Sequence, residues 1–233
     1  MSTATIETRT ASTRTSGDYR GLRVAGAVYV VAWLVGLLVA PSAPSQTDPD
    51  IKVQAFFQHH HTATLIQALL VHGVAGVAFA AFVVALAGSR LVRRSGSARA
   101  LLLGAGLAAA AISLIQVVLE VAINRHVAGA GIASTTASLF HAVNVADTVK
   151  LMLLGLAIAA ATRAMEDTHA VKKWMKRLGY ALLPILVIGG LAFVVHSAAL
   201  SAVLDLSLLL LLLWVGAISM QAPKLDKRVT VSP

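Results

Sequence analysis

The chain contains no cysteine, and only 12% of its residues are charged and 5% aromatic. The missing cysteine excludes a disulfide framework, a thiolate metal site, an iron–sulfur cluster and a cysteine nucleophile. Soluble domains carry about 25% charged residues, so this chain lacks the means to keep a folded surface in water. It also lacks a Walker loop, a dinucleotide fingerprint, a nucleophile elbow and an HExxH pair. A formal net charge of +9 raises the question of nucleic acid. The basic residues are scattered among short loops, with no continuous stripe and little aromatic interleaving, so no nucleic-acid partner is expected.

What the chain has in excess is apolar sequence: 58% hydrophobic residues and a mean hydropathy of +0.81. Runs near the roughly 20 residues needed to cross a bilayer fall at about Val24 to Ala40, Thr62 to Gly88, Ala100 to Ile123, Ser138 to Thr162, Gly179 to Ala199 and Ala202 to Met220. The expected fold is an all-α, polytopic transmembrane bundle of six spans over residues 21–222, with a disordered basic tail (1–20) and a short C-terminal tail (223–233). Membrane lipids are the expected surroundings. Assigned to alternate loops, sixteen Lys and Arg fall on one side, against Lys52, Arg125 and Lys150 on the other. The positive-inside rule then predicts both termini in the cytoplasm. Trp174 and Tyr180 flank the fifth span, where an interfacial aromatic belt belongs.

The first span has a rival reading. "RGLRVAGAVYVVAWLVGLLVAPSAPS" also has the basic leader, apolar run and small residues of a cleaved signal. The apolar run exceeds the usual h-region, and Pro41 and Pro44 crowd the cut sites, so an uncut helix is expected. Asp48 before Pro49 is read as a helix start in which Asp48 caps. A helix unbroken from there to Gly88 would measure about 60 Å at 1.5 Å per residue, too long for the hydrocarbon, so part of it must lie at the outer surface. A faint internal repeat pairs "TATLIQALLV" at Thr62 with "TASLFHAVNV" at Thr136.

The polar groups within the spans crowd toward the outer half. Ser113, Gln116, Glu120 and Asn124 form one stripe on the third span, which must face protein or water. His141, Asn144 and Thr148 form another on the fourth, while Asp147 and Lys150 share a different sector of that helix and can pair. Gln67 and His72 enter from the second span, His196 from the fifth and Asp205 from the sixth. The inner halves, such as "LLLGAGLAAAA" and "LLLLLLWVG", are dry. This pattern predicts an outward-facing polar pocket, lined by these residues, for a small solute, a lipid headgroup, an ion or a proton. Lys150 is expected about 10 Å from the outer end of its helix, partly snorkelling and bridging Asp147 and Glu120.

Two other function classes compete. Interhelical hydrogen-bond glue would make the protein a structural or regulatory membrane partner. A metal-dependent membrane enzyme would use His72, His141 and His196 as zinc ligands, with Glu120 or Asp205 nearby; haem held by a histidine pair is the related idea. No local signature accompanies these histidines, and no cofactor is expected. His59, His60 and His61 point about 100° apart around a helix and cannot share one ion.

The segments "TDPDIKVQAFFQHHHTATLIQALLVHGVAGVAFAAFVVALA" and "KKWMKRLGYALLPILVIGGLAF", with a first span ending in a small and proline-rich stretch, resemble six-span actinobacterial membrane proteins of a domain-of-unknown-function type. The resemblance covers most of the chain through layout and composition. It implies a bacterial plasma-membrane location and carries over no functional residue.

The charge asymmetry generates a topology prediction. In a chain free of native cysteine, Ser45→Cys should react with an impermeant thiol reagent on intact cells and Ser95→Cys should not. The reverse labelling would invert the bundle.

Overall fold

The computed structural model describes residues 17–41, 43–92, 96–129, 131–166, 171–195 and 197–231, and side chains between 19 and 222. Among them the secondary structure is helical throughout: α1 (Gly17–Val39), α2 (Asp50–His59), α3 (His61–Ala68), a π-helical segment (Leu69–Val74), α4 (Ala75–Gly88), α5 (Gly96–Ala128), α6 (Ala133–Glu166), α7 (Lys173–Gly190), a 3₁₀ turn (Leu191–Phe193) and α8 (Ala198–Val231). A backbone in hydrocarbon has no water to bond to, so each apolar run satisfies its N–H and C=O groups internally as helix. Six helices among the described residues are long and apolar enough to span a membrane: α1, the continuous α3–π–α4 unit, α5, α6, α7 and α8. The protein is a polytopic helical membrane protein.

Helices adjacent in sequence pack side by side, and α8 returns to α1, so the spans form a closed up-and-down ring. Its main core occupies the half near the basic loops. There Phe82 meets Trp214 edge-on across the ring at 6.5 Å, and Trp214 Nε1 donates to the Met175 carbonyl of α7 at 3.2 Å. Leu86, Ile158, Met165, Met175 and Leu182 fill the rest. This is the dry half expected from the sequence.

Lipid tails are as apolar as these side chains, so close backbone approach does much of the work of association. At Gly155 of α6, a Cβ would lie 3.2 Å from the Leu183 Cα of α7; at Gly189 of α7, one would lie 3.0 Å from the Leu204 Cα of α8. Backbone atoms on the far side cannot step aside.

Four boundaries differ from expectation. The long helix after Pro49 is broken at His60 (φ −113°, ψ 21°), so α2 is separate. It folds across the ends of α5 and α6, where Val53 and Phe57 form a second small core with Ile123, Val127, Phe140 and Val143. Asp48 does not cap. Its carboxylate accepts from the Ser45 N–H at 2.9 Å and from Lys52 Nζ at 2.8 Å, and Pro49 takes the N-cap position. The Lys52 ammonium holds the Asp48 carboxyl below the usual carboxylate range. Finally, the fifth span ends at Phe193, six residues short of the expected Ala199, and α8 continues as helix past the expected membrane boundary to Val231.

Gly155→Ile should force α6 and α7 apart. The expected loss is about 2 kcal/mol, typical of overpacking, read as a lower thermal midpoint in detergent, while a substitution at the open Gly104 should leave the midpoint near that of the parent.

Candidate functional site

Lys150 stands at the middle of the 34 residues of α6, not near an end. The helix begins at Ala133, five residues before the expected start, so the ammonium lies about 25 Å from that end at 1.5 Å per residue. It does not snorkel: the residue is 2% exposed. Three spans converge on it. Asp147, one turn away on α6, forms an ion pair with Nζ. Nζ also donates to Gln116 Oε1 of α5 at 2.8 Å and to His72 Nδ1 of the π segment at 3.1 Å. With three partners, the three N–H groups of the ammonium are accounted for.

The bridge expected between Lys150 and Glu120 is replaced by a longer connection. The imidazole of His72 sits between them, with Nε2 3.7 Å from Glu120 Oε1. Because Nδ1 accepts from the ammonium, neutral His72 carries its proton on Nε2, the nitrogen that faces Glu120. The result is a string, Asp147–Lys150–His72–Glu120. Its two ends are the accessible parts, with side chains 15% and 20% exposed, whereas its middle is sealed. Glu120 Oε2 is buried without a hydrogen-bond partner.

The π-helical turn is the local reason that His72 reaches this position. One wider turn displaces the following residues relative to α-helical register, a feature that recurs at functional sites. On the side toward the basic loops, Lys150 borders a cavity of about 10 Å³ that is also lined by Ser113, Gly76, Tyr29 and Trp33. That volume suits about one water. The Tyr29 hydroxyl is buried at this cavity, beside Trp33.

Other polar groups hold helices together. Thr64 Oγ1 of α3 donates to Asn124 Oδ1 at 3.1 Å, and Asn124 Nδ2 to the Glu120 carbonyl at 2.9 Å. Gln116 Nε2 donates to the Val143 carbonyl at 3.1 Å. Thr148 Oγ1 donates to the Gly190 carbonyl of α7 at 3.0 Å, whereas Asn144 Nδ2 bonds within α6, to the Phe140 carbonyl at 2.8 Å. The two sectors read on the fourth span are therefore real: Thr148 turns to α7, while Asp147 and Lys150 turn to α5 and the second span.

Three candidate residues lie apart from the string. His141 is exposed; its Nδ1–H donates to Gln46 Oε1 at 2.8 Å, and Gln46 Nε2 donates to the Phe193 carbonyl at 2.6 Å. This clasp ties the α1–α2 loop to α6 and caps the last turn of the fifth span. Asp205 is exposed near the start of α8, and Gln67 is half-buried. His196 lies outside the described residues. Among the described residues no three His, Asp or Glu side chains converge as metal ligands: His72 is engaged with Lys150, and His141 with Gln46. Sequence periodicity could not identify Gln46 or Thr64, because their partners come from distant spans.

No protein-family model, curated protein or solved structure matches the chain.

Breaking a buried ion pair from one side leaves an uncompensated charge, at a cost of about 3 to 5 kcal/mol. Lys150→Met should lose about that much stability, and Lys150→Met with Asp147→Asn should recover part of it. The same cycle with Glu120→Gln should recover less, since His72 intervenes. Thermal unfolding in detergent across both cycles checks the order; equal coupling would mean that Glu120 contacts Lys150 directly.

Proposed function

We propose that this is a multi-pass protein of a bacterial plasma membrane, with both termini cytoplasmic, whose string Glu120–His72–Lys150–Asp147 takes up and releases a proton from the outer, α2 side. The observation that carries this reading is four ionisable groups in one largely buried chain across three consecutive spans, with partial exposure concentrated in the Glu120 and Asp147 side chains that end it. Each charge near the centre of a membrane helix costs about 2.5 to 3.5 kcal/mol on insertion scales. Neutral amides and hydroxyls supply cohesion without that cost, and the bundle already uses them in the Thr64–Asn124 and Thr148–Gly190 pairs.

Once Asp147 neutralises Lys150, Glu120 carries the remaining negative charge. A proton taken by Glu120 from the outer side leaves the whole string neutral, and the Nε2–H of His72, 3.7 Å from Oε1 and retained throughout, faces the carboxylate that gains and loses it. The dry core of Phe82, Trp214, Leu86 and Met165 closes the path toward the basic loops. The chemistry is that of a one-sided proton-binding site, the kind of element that couples proton entry to movement of a second solute.

The cohesion reading keeps one specific support, the set of neutral interhelical bonds, and the two are separable. Infrared difference spectra between acidic and alkaline pH should show a protonated carboxyl band that disappears in Glu120→Gln and shifts in His72→Gln. A pH-indicator dye in solution with the detergent-solubilised protein should report reversible uptake of about one proton per chain, which Glu120→Gln should remove. No carboxyl band and no proton uptake above the Glu120→Gln variant would return the string to a purely cohesive role.

A further inference from the structure

At the basic-loop end, remote from the buried string, α1 and α8 touch and then part. Gly26 allows the contact: a Cβ there would collide with the Ser219 side chain. Beside it the surface falls away into a groove of about 620 Å³ lined by Ala27, Val30, Val31, Gly216 and Met220, with Arg20 and Arg23 at one end. The hollow exists because the residues facing it from both helices include the small Ala27 and Gly216. Arg20 and Arg23 are one turn apart on α1, so both guanidinium groups serve the same end. Both are exposed.

We propose that this groove binds one anionic phospholipid, with an acyl chain along the apolar floor and the phosphate held by Arg20 and Arg23. A volume between about 300 and 1,000 Å³ is the range of small-ligand sites, and an open, apolar channel parallel to the helices matches a hydrocarbon chain rather than a polar solute. Guanidinium groups match phosphate oxygens in number and geometry. They also stand near the membrane end of the first span, the depth of a headgroup. Charge decides against a second copy of this chain as occupant, since a protein of net charge +9 would bring further cations toward two arginines. The comparison within the molecule is the larger groove of about 770 Å³ between α1 and α4, lined by Val24, Val28, Gly73, Val77 and Ala81 among others. No charged side chain lines it, and it faces the bulk lipid without a means of selecting a headgroup.

The test is native mass spectrometry of the delipidated full chain in detergent, titrated with phosphatidylglycerol or with phosphatidylcholine bearing the same acyl chains. The parent should retain phosphatidylglycerol roughly ten- to thirtyfold more strongly, the scale set by two basic residues near a membrane surface. Arg20→Gln with Arg23→Gln should abolish that preference, Arg20→Lys with Arg23→Lys should keep much of it, and Lys172→Gln with Lys173→Gln at the same end should leave it intact. Ala27→Trp, which fills the groove, should weaken both lipids while the thermal midpoint holds. Equal retention by the parent and the glutamine pair would overturn the site. Displacement of the lipid by millimolar inorganic phosphate, with Ala27→Trp indifferent, would overturn the acyl-chain half and leave a surface anion site.

Discussion

An ammonium group at the middle of a membrane helix must find its solvation inside the protein, because hydrocarbon offers it neither water nor counter-ion. Lys150 meets that requirement with one ionic partner and two neutral ones, drawn from its own helix, the preceding helix and the second span. Its demand therefore constrains the relative depth of three helices at once. Slide α5 by one turn, about 5.4 Å, and Gln116 leaves Nζ; rotate the second span, and His72 leaves it. The π turn, the Thr64–Asn124 bond and the Gln116 contact to the Val143 carbonyl all conform to this alignment.

The remainder of the bundle is assembled on a different principle. Toward the basic loops the helices meet through apolar packing and through glycines at which backbones nearly touch, as at Gly155 against Leu183. Hydroxyls in this half bond within their own helix, Thr162 to the Ile158 carbonyl and Ser219 to the Val215 carbonyl. They ask nothing of their neighbours, and the core there stays dry. Toward α2 the side chains of Thr64, Gln116 and Thr148 reach between helices. The two halves divide the labour between an apolar plug and a polar, ionisable layer beneath α2.

The first span connects the two proposed activities without mixing them. Its inner face brings Tyr29 and Trp33 to the small cavity beside Lys150. Its outer face, at the opposite end, presents Arg20 and Arg23 to the groove with α8. The two sites lie at different depths and use opposite chemistry, a carboxylate that exchanges a proton and guanidiniums that hold a phosphate.

Local sequence determined a good deal. Span number and helical class follow from run length and hydropathy, since a lipid-embedded backbone has only the helix or the closed barrel available. The stripe Ser113, Gln116, Glu120 and Asn124 was legible from its 3.6-residue period as one facing protein or water, and the Asp147–Lys150 pair from a spacing of three. Tertiary structure decided what a period cannot encode. Which group lies between Lys150 and Glu120 depends on the depth and rotation of a separate helix, and the π turn that aims His72 has no signature in an Ala- and Val-rich run. The separation of His72 from His141, the break at His60 that lays α2 across α5 and α6, and the Gln46 clasp all arise from contacts between residues far apart in the chain. Periodicity describes one helix in isolation; the assignment of partners belongs to the packing of several.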